Sequence, residues 1–145
     1  VAYSVDLLGG ASQALTTAAA TTTAVNLPDG GAAQWMLELT YEGTAGDGGD
    51  SFHPILQTTL DGGSVWQDVA SSASMVGGVV AAVTEFIEAL TPKAAARLAA
   101  SDGAINASTI NSTALGPRVR LKGKFSDADN DGSWTVSRAR LHVYG

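Results

Sequence analysis

Residues 118–125 alternate without a break. Val119, Leu121, Gly123 and Phe125 fall on one side, and Arg118, Arg120, Lys122 and Lys124 on the other. A period of two is the signature of a strand that buries one face and presents the other. The same period recurs at 34–42, where Trp35, Leu37, Leu39 and Tyr41 oppose Gln34, Glu38, Thr40 and Glu42; Met36 is the one apolar residue on the outer side. Residues 54–60 and 64–70 form two further runs, joined by Asp61-Gly62-Gly63. At 83–89, Val83, Glu85, Ile87 and Ala89 oppose Thr84, Phe86 and Glu88, and either side could be the inner one. Runs at 2–8 and 21–27 read as strands with weaker patterning, and Gly/Asp clusters at 29–31 and 43–50 separate the runs as loops.

The end of the chain extends the pattern. Ala139, Leu141 and Val143 take an inner face, which leaves Arg138, Arg140, His142 and Tyr144 outside. Trp134 and Val136 have the opposite parity from Leu141, so burying all of them requires a β-bulge near Ser137. One helix is expected, over 92–101. Thr91-Pro92 supplies an N-cap and a first-turn proline before a run rich in Ala and Leu, and Gly103 can end it in the left-handed region. Residues 104–115 read as loop. At 145 residues the chain suits one domain, 1–145, with a core that needs no disulfide, and it has no Cys. Many short strands in one such domain predict an all-β, antiparallel β-sandwich, jelly-roll or Ig-like, with one short helix.

Charge is unevenly placed. The first 92 residues carry ten acids (Asp6, Asp29, Glu38, Glu42, Asp47, Asp50, Asp61, Asp68, Glu85 and Glu88) and no Lys or Arg. All eight cations follow, against Asp102, Asp127, Asp129 and Asp131, and the formal net charge is −6. Only 15% of residues are charged, below the roughly 25% of an average domain, so the surface is bland and rich in Ala, Gly, Ser and Thr. If 118–125 and the final strand pair as a hairpin, Arg118, Arg120, Lys122, Lys124, Arg138 and Arg140 gather on one face. Like charges side by side on a sheet call for acidic compensation, either from the chain itself or from a partner. Both readings stay open: a partner-binding stripe and a solvated, internally paired edge.

Catalytic patterns do not emerge. His53 and His142 are the only histidines and have no metal-ligand spacing, and the sequence has no G-x-S-x-G turn, P-loop or HExxH. No enzymatic activity and no cofactor are expected. Asp127, Asp129 and Asp131 before Gly132 form a weak calcium candidate. The bidentate acid needed at the twelfth position of such a loop falls on Arg138, so a solvated acidic tip is the preferred reading and no metal is expected. No apolar run approaches the ~20 residues that span a bilayer. The start, Val1-Ala2-Tyr3-Ser4, has neither a basic n-region nor an apolar h-region, so synthesis in a cytoplasm is expected.

Thr59-Leu60-Asp61-Gly62-Gly63-Ser64-Val65-Trp66 resembles the Asp-box of sialidase-type propellers, with Val65 departing from its Ser/Thr position. Read physically it is a structural turn: Asp61 bonds backbone N–H groups, Gly62 and Gly63 allow positive φ, and Trp66 packs back over the corner. The longer segment Gln57 to Ala70 resembles the "QTSxDGGxTWxDVA" hairpin of small β-sandwich structural proteins of tailed bacteriophages. A strand like Trp35–Tyr41 before it, and late strands like 115–122 and the chain's last, follow the same order. This resemblance implies a virion protein, assembled in the host cytoplasm: a head decoration (cement) protein that binds capsid protein subunits, with homo-oligomerisation as a second contact. The alternative is a carbohydrate-binding or adhesion module of a phage tail or fibre, which needs exposed Trp or Tyr. Nucleic-acid binding is disfavoured by the net charge and by a basic face lacking interleaved aromatics apart from Tyr144. A membrane partner is not expected either.

Overall fold

The computed structural model describes residues 2–16, 20–45, 49–76, 81–91, 101–112, 114–126 and 133–144. These residues contain ten strands: β1 (Tyr3–Asp6), β2 (Gln13–Thr16), β3 (Val25–Asn26), β4 (Trp35–Ala45), β5 (Ser51–Thr59), β6 (Gln67–Ser71), β7 (Met75–Val76), β8 (Val83–Ala89), β9 (Arg118–Ser126) and β10 (Ser133–Val143). They form two antiparallel sheets. The first runs β1-β10-β4-β8, with β2 also on β10; the second runs β3-β9-β5-β6, with β7 also on β5. The fold is the expected all-β sandwich. The helix expected over 92–101 lies outside the described residues, save Ser101, which is not helical.

Alternation explains the core. Trp35, Leu37, Leu39 and Tyr41 of β4 are each at most 1% exposed, and Val119 and Leu121 of β9 are fully buried opposite them. Burial of this many large side chains, at roughly 25 cal/mol per Å2 of apolar area, is what orders the two sheets face to face. At one end of the core, Phe52 stacks on Trp134 with centroids 5.2 Å apart, Phe125 lies 5.1 Å from Phe52, and Tyr41 meets Phe52 edge-on. Gly123 makes room for these rings. A Cβ there would stand 2.7 Å from Phe52 and 2.9 Å from Phe125.

The bulge expected near Ser137 is present. Val136 pairs with Tyr41 and Arg138 with Thr40, so Ser137 is the extra residue on β10. The shift lets Trp134, Val136, Ala139 and Leu141 all point inward, each at most 1% exposed. On β8 the ambiguity resolves: Ile87 and Ala89 are buried, whereas Phe86, on the other face, is 58% exposed.

One expectation is overturned. β9 and β10 do not form a hairpin. β9 pairs with β5 and β3 in one sheet, and β10 with β4, β1 and β2 in the other. The six cations are therefore divided between the two outer surfaces of the sandwich. Both strands alternate toward the shared interior, and that pattern is the same for neighbours in one sheet as for strands facing each other across two.

Candidate docking surfaces

On the outer face of the second sheet, β9 presents Arg118, Arg120, Lys122 and Lys124, and β5 presents His53, Ile55, Gln57 and Thr59. Every residue of β5 from Phe52 to Thr59 is buried, because the outer face is roofed by the segment 101–112. That segment also runs along the free edge of β6. Asp68 N donates to Ser101 O, Ser71 N to Thr109 O, and Asn111 N to Val69 O.

The centre of this roof is Asp68, which is fully buried. Its carboxylate accepts from Gln57 Nε2 at 2.8 Å, Ser101 Oγ at 2.6 Å, and the backbone N–H groups of Gly103, Ala104 and Ile105 at 2.8–3.1 Å. Burial pushes this carboxyl up, but the hydrogen bonds, led by those from Ser101 and Gln57, outweigh it and hold the group below its ordinary range. Asp102 extends the network, accepting from Gln57 Nε2 at 2.7 Å and Lys122 Nζ at 2.9 Å, with Arg120 Nη2 3.6 Å away. Lys124 Nζ donates to Ala104 O at 2.9 Å, and His53 Nε2 lies 3.0 Å from Ile105 O.

Arg118 and Arg120 turn toward the β5–β6 tip. Arg118 Nη1 donates to Gly62 O at 2.8 Å. Arg120 Nε donates to Gln57 Oε1 at 2.8 Å, and its guanidinium lies 4.0 Å over the Trp66 ring. The four β9 cations thus meet groups of their own chain, as an internally paired face would. Asp102 supplies the acidic compensation that a crowded basic strand requires.

The tip itself is a built turn. Asp61 Oδ1 accepts from Val65 N at 3.0 Å, Ser64 N at 3.1 Å and Thr59 Oγ1 at 2.8 Å; Gly62 and Gly63 have φ of 81° and 112°. These bonds, the one from Val65 N first, hold the Asp61 carboxyl below its ordinary range. Trp66, 8% exposed, packs against Gly63 and Arg120 on the outer side of the sheet. What the sequence reading passed over is the outward result. Leu60 is 82% exposed and Val65 59% exposed, on either side of the pinned turn. The departure of Val65 from the Ser/Thr of the Asp-box pattern was the available signal.

On the first sheet, Arg138 and Arg140 of β10 are exposed. Arg138 grips Glu38 with Nε–Oε1 at 2.9 Å and Nη2–Oε2 at 3.1 Å. His142 Nε2 is 3.3 Å from Glu38 Oε2, and its Nδ1 is 2.7 Å from Ser4 Oγ. Ser4, His142 and Glu38 thus line up as a nucleophile, base and acid would. However, Arg138 pairs with both oxygens of Glu38, so the carboxylate's charge is already countered and less of it is left to stabilise an imidazolium. Arg140 stands in register between Asp6 and Glu38.

The aromatic platform needed by a glycan-binding module is not met by the tryptophans: Trp35 and Trp134 are fully buried and Trp66 lies under Arg120. Among the described residues no group of three or more His, Asp or Glu could hold a metal ion. The calcium candidate Asp127, Asp129 and Asp131 lies outside the described residues.

No protein-family model matches the chain, and no curated protein sequence matches it. Among solved structures it is similar to the VP2 subviral particle of infectious bursal disease virus, with 12% identity and a TM-score of 0.49 over 99% of this chain and 32% of that one. It is also similar to structures of the Gx strain of that virus (12% identity, TM-score 0.48, 99% of this chain and 32% of that one) and the Gt strain (11% identity, TM-score 0.44, 96% and 29%). The chain spans about a third of the length of the chains it matches.

Proposed function

We propose that this chain is a non-enzymatic virion structural protein, a one-domain decoration or cement protein that binds the outside of a phage capsid and stabilises it. The observation that carries the reading is the β5–β6 tip, where Leu60 and Val65 stand 82% and 59% exposed on a turn fixed by Asp61 and Thr59. A turn held by five contacts to the Asp61 carboxylate and the Thr59 hydroxyl loses little freedom when a partner covers it. Burying two aliphatic side chains contributes up to ~1.5–3 kcal/mol each, which suits a small central hot spot. The resemblance of the Gln57–Ala70 hairpin to phage structural proteins falls on the same segment. Among the described residues the cation left for a partner is Arg140, since Arg138 is paired with Glu38 and those of β9 are engaged within the chain.

The test is co-sedimentation of the Leu60→Asp/Val65→Asp variant with shells assembled from the capsid protein encoded in the same genome. The expected result is loss of shell occupancy at an unchanged melting temperature. Wild-type occupancy would overturn the reading.

A further inference from the structure

We propose that β8 is a self-association edge, on which a second copy of this chain adds its own β8 antiparallel and in a register centred on Phe86. The contact lies apart from the β5–β6 tip, so its failure leaves the capsid reading standing.

The argument begins with edges. A strand at the rim of a sheet shows unpaired N–H and C=O groups, and proteins normally shorten such strands, cover them or break them with Pro, Lys or a bulge. This sandwich does so elsewhere. The free side of β6 is covered by 101–112, β3 has two residues, and β1 and β2 have four each. β8 differs: it has seven residues with no Pro, Gly, Lys or Arg, and it pairs with β4 without a register shift. Among the described residues no other strand pairs with it.

The side chains point to a like partner. Phe86 is the middle residue of β8, on the outer face, and is 58% exposed, an unusual position for a large aromatic on an edge strand. A two-fold axis through Phe86 pairs all seven residues and sets Phe86 against Phe86 of the second copy. Thr84 then faces Glu88, so the exposed Glu88 of one copy meets a hydroxyl rather than its own like charge. A register centred on Glu88 or Glu85 would instead oppose two carboxylates. Glu85, the one inward-facing charge, would stand opposite Ile87. It is already engaged with Tyr41 OH at 3.1 Å and Ala73 N at 3.1 Å. One paired strand buries less than the ~1,000 Å2 of a stable interface, so the contact is weak in free solution and gains from copies held side by side.

The chain has no Cys, so an introduced thiol reports on register alone. Under mild oxidation Phe86→Cys is expected to give a covalent dimer about ten-fold faster than Thr84→Cys, because paired Cα atoms lie within the ~4.4–6.8 Å of a disulfide and positions four residues apart do not. Thr84→Cys/Glu88→Cys, which keeps Phe86, is expected to form a dimer linked twice. Equal rates for the two single variants, or no dimer from Thr84→Cys/Glu88→Cys, would overturn the proposal.

Discussion

Gln57 Nε2 donates to Asp68 Oδ1 at 2.8 Å across the β5–β6 pair, with both side chains 0% exposed. The two strands place a carboxylate and an amide beneath 101–112, and the backbone N–H groups of 103–105 converge on the same carboxylate. A buried charge persists where donors replace its water, and among the described residues every hydrogen bond to the Asp68 carboxylate comes from a donor.

Asp68→Asn is therefore a severe change despite its shape. The amide turns an NH2 group toward donors, leaving buried N–H groups unpaired. The expected loss is about 2–4 kcal/mol in stability by urea denaturation. Faster amide exchange at 103–105 is expected to accompany it. An unshifted urea midpoint would show that 101–112 is held by something else.

His53 and Asp68 set the acid limb of stability. Burial depresses the His53 pKa below its ordinary 6.5, so the unfolded chain takes up a proton first and stability falls as pH drops below about 6.5. The depressed carboxyls of Asp68, Glu38 and Asp102 add stability that is present above their ordinary 3.8–4.5 and is lost as pH falls through their lower folded values. Two descending steps are expected in a plot of stability against pH. His53→Gln is expected to remove the step near neutrality and leave the acidic one. A flat profile from pH 7 to 5 in the wild type would contradict the role given to His53.

The fold was legible wherever alternation meets burial. Trp35 to Tyr41 and Val119 to Phe125 declared their inner faces, and the parity change between Val136 and Ala139 located the bulge at Ser137. β2 was not legible: Gln13-Ala14-Leu15-Thr16 offers one buried apolar side chain, Leu15, and its place is set by pairing with β10. The gathering of six cations on one face was misjudged for a related reason. Alternation tells which face a residue takes and is silent on which strand lies beside it, so β9 and β10 read as neighbours. The Asp61 turn was clear from its residues, whereas the exposure of Leu60 depends on what surrounds the tip.

Trp66→Ala tests the corner. The ring covers Gly63 and lies under Arg120 outside the main core, so its loss strips packing from the tip without opening the interior. A cost near 3 kcal/mol is expected, at the lower end for a buried Trp. In a double-mutant cycle with Arg120→Gln, a coupling of about 0.5–2 kcal/mol is expected from the stacked pair. Additive effects would show that the 4.0 Å approach contributes nothing beyond area.

The last prediction separates the cations that build the fold from those left for a partner. Arg120 has a 17% exposed side chain and touches Gln57, Asp102 and Trp66, whereas Arg140 is exposed on the opposite sheet. Burial pulls the Arg120 pKa down and Asp102 pulls it back, which is the balance of a charge kept for its neighbours. Arg120→Glu would set a carboxylate beside Asp102 and unpair Gln57, at an expected cost of about 2–4 kcal/mol. Arg140→Gln is expected to stay within about 0.5 kcal/mol of wild type, as surface changes do. Thermal melts of the two variants read this directly. Loss of shell binding by Arg120→Glu would then reflect a damaged sheet, whereas loss by a fully folded Arg140→Gln would mark a contact. Equal melting temperatures for Arg120→Glu and wild type would return the β9 cations to the docking surface.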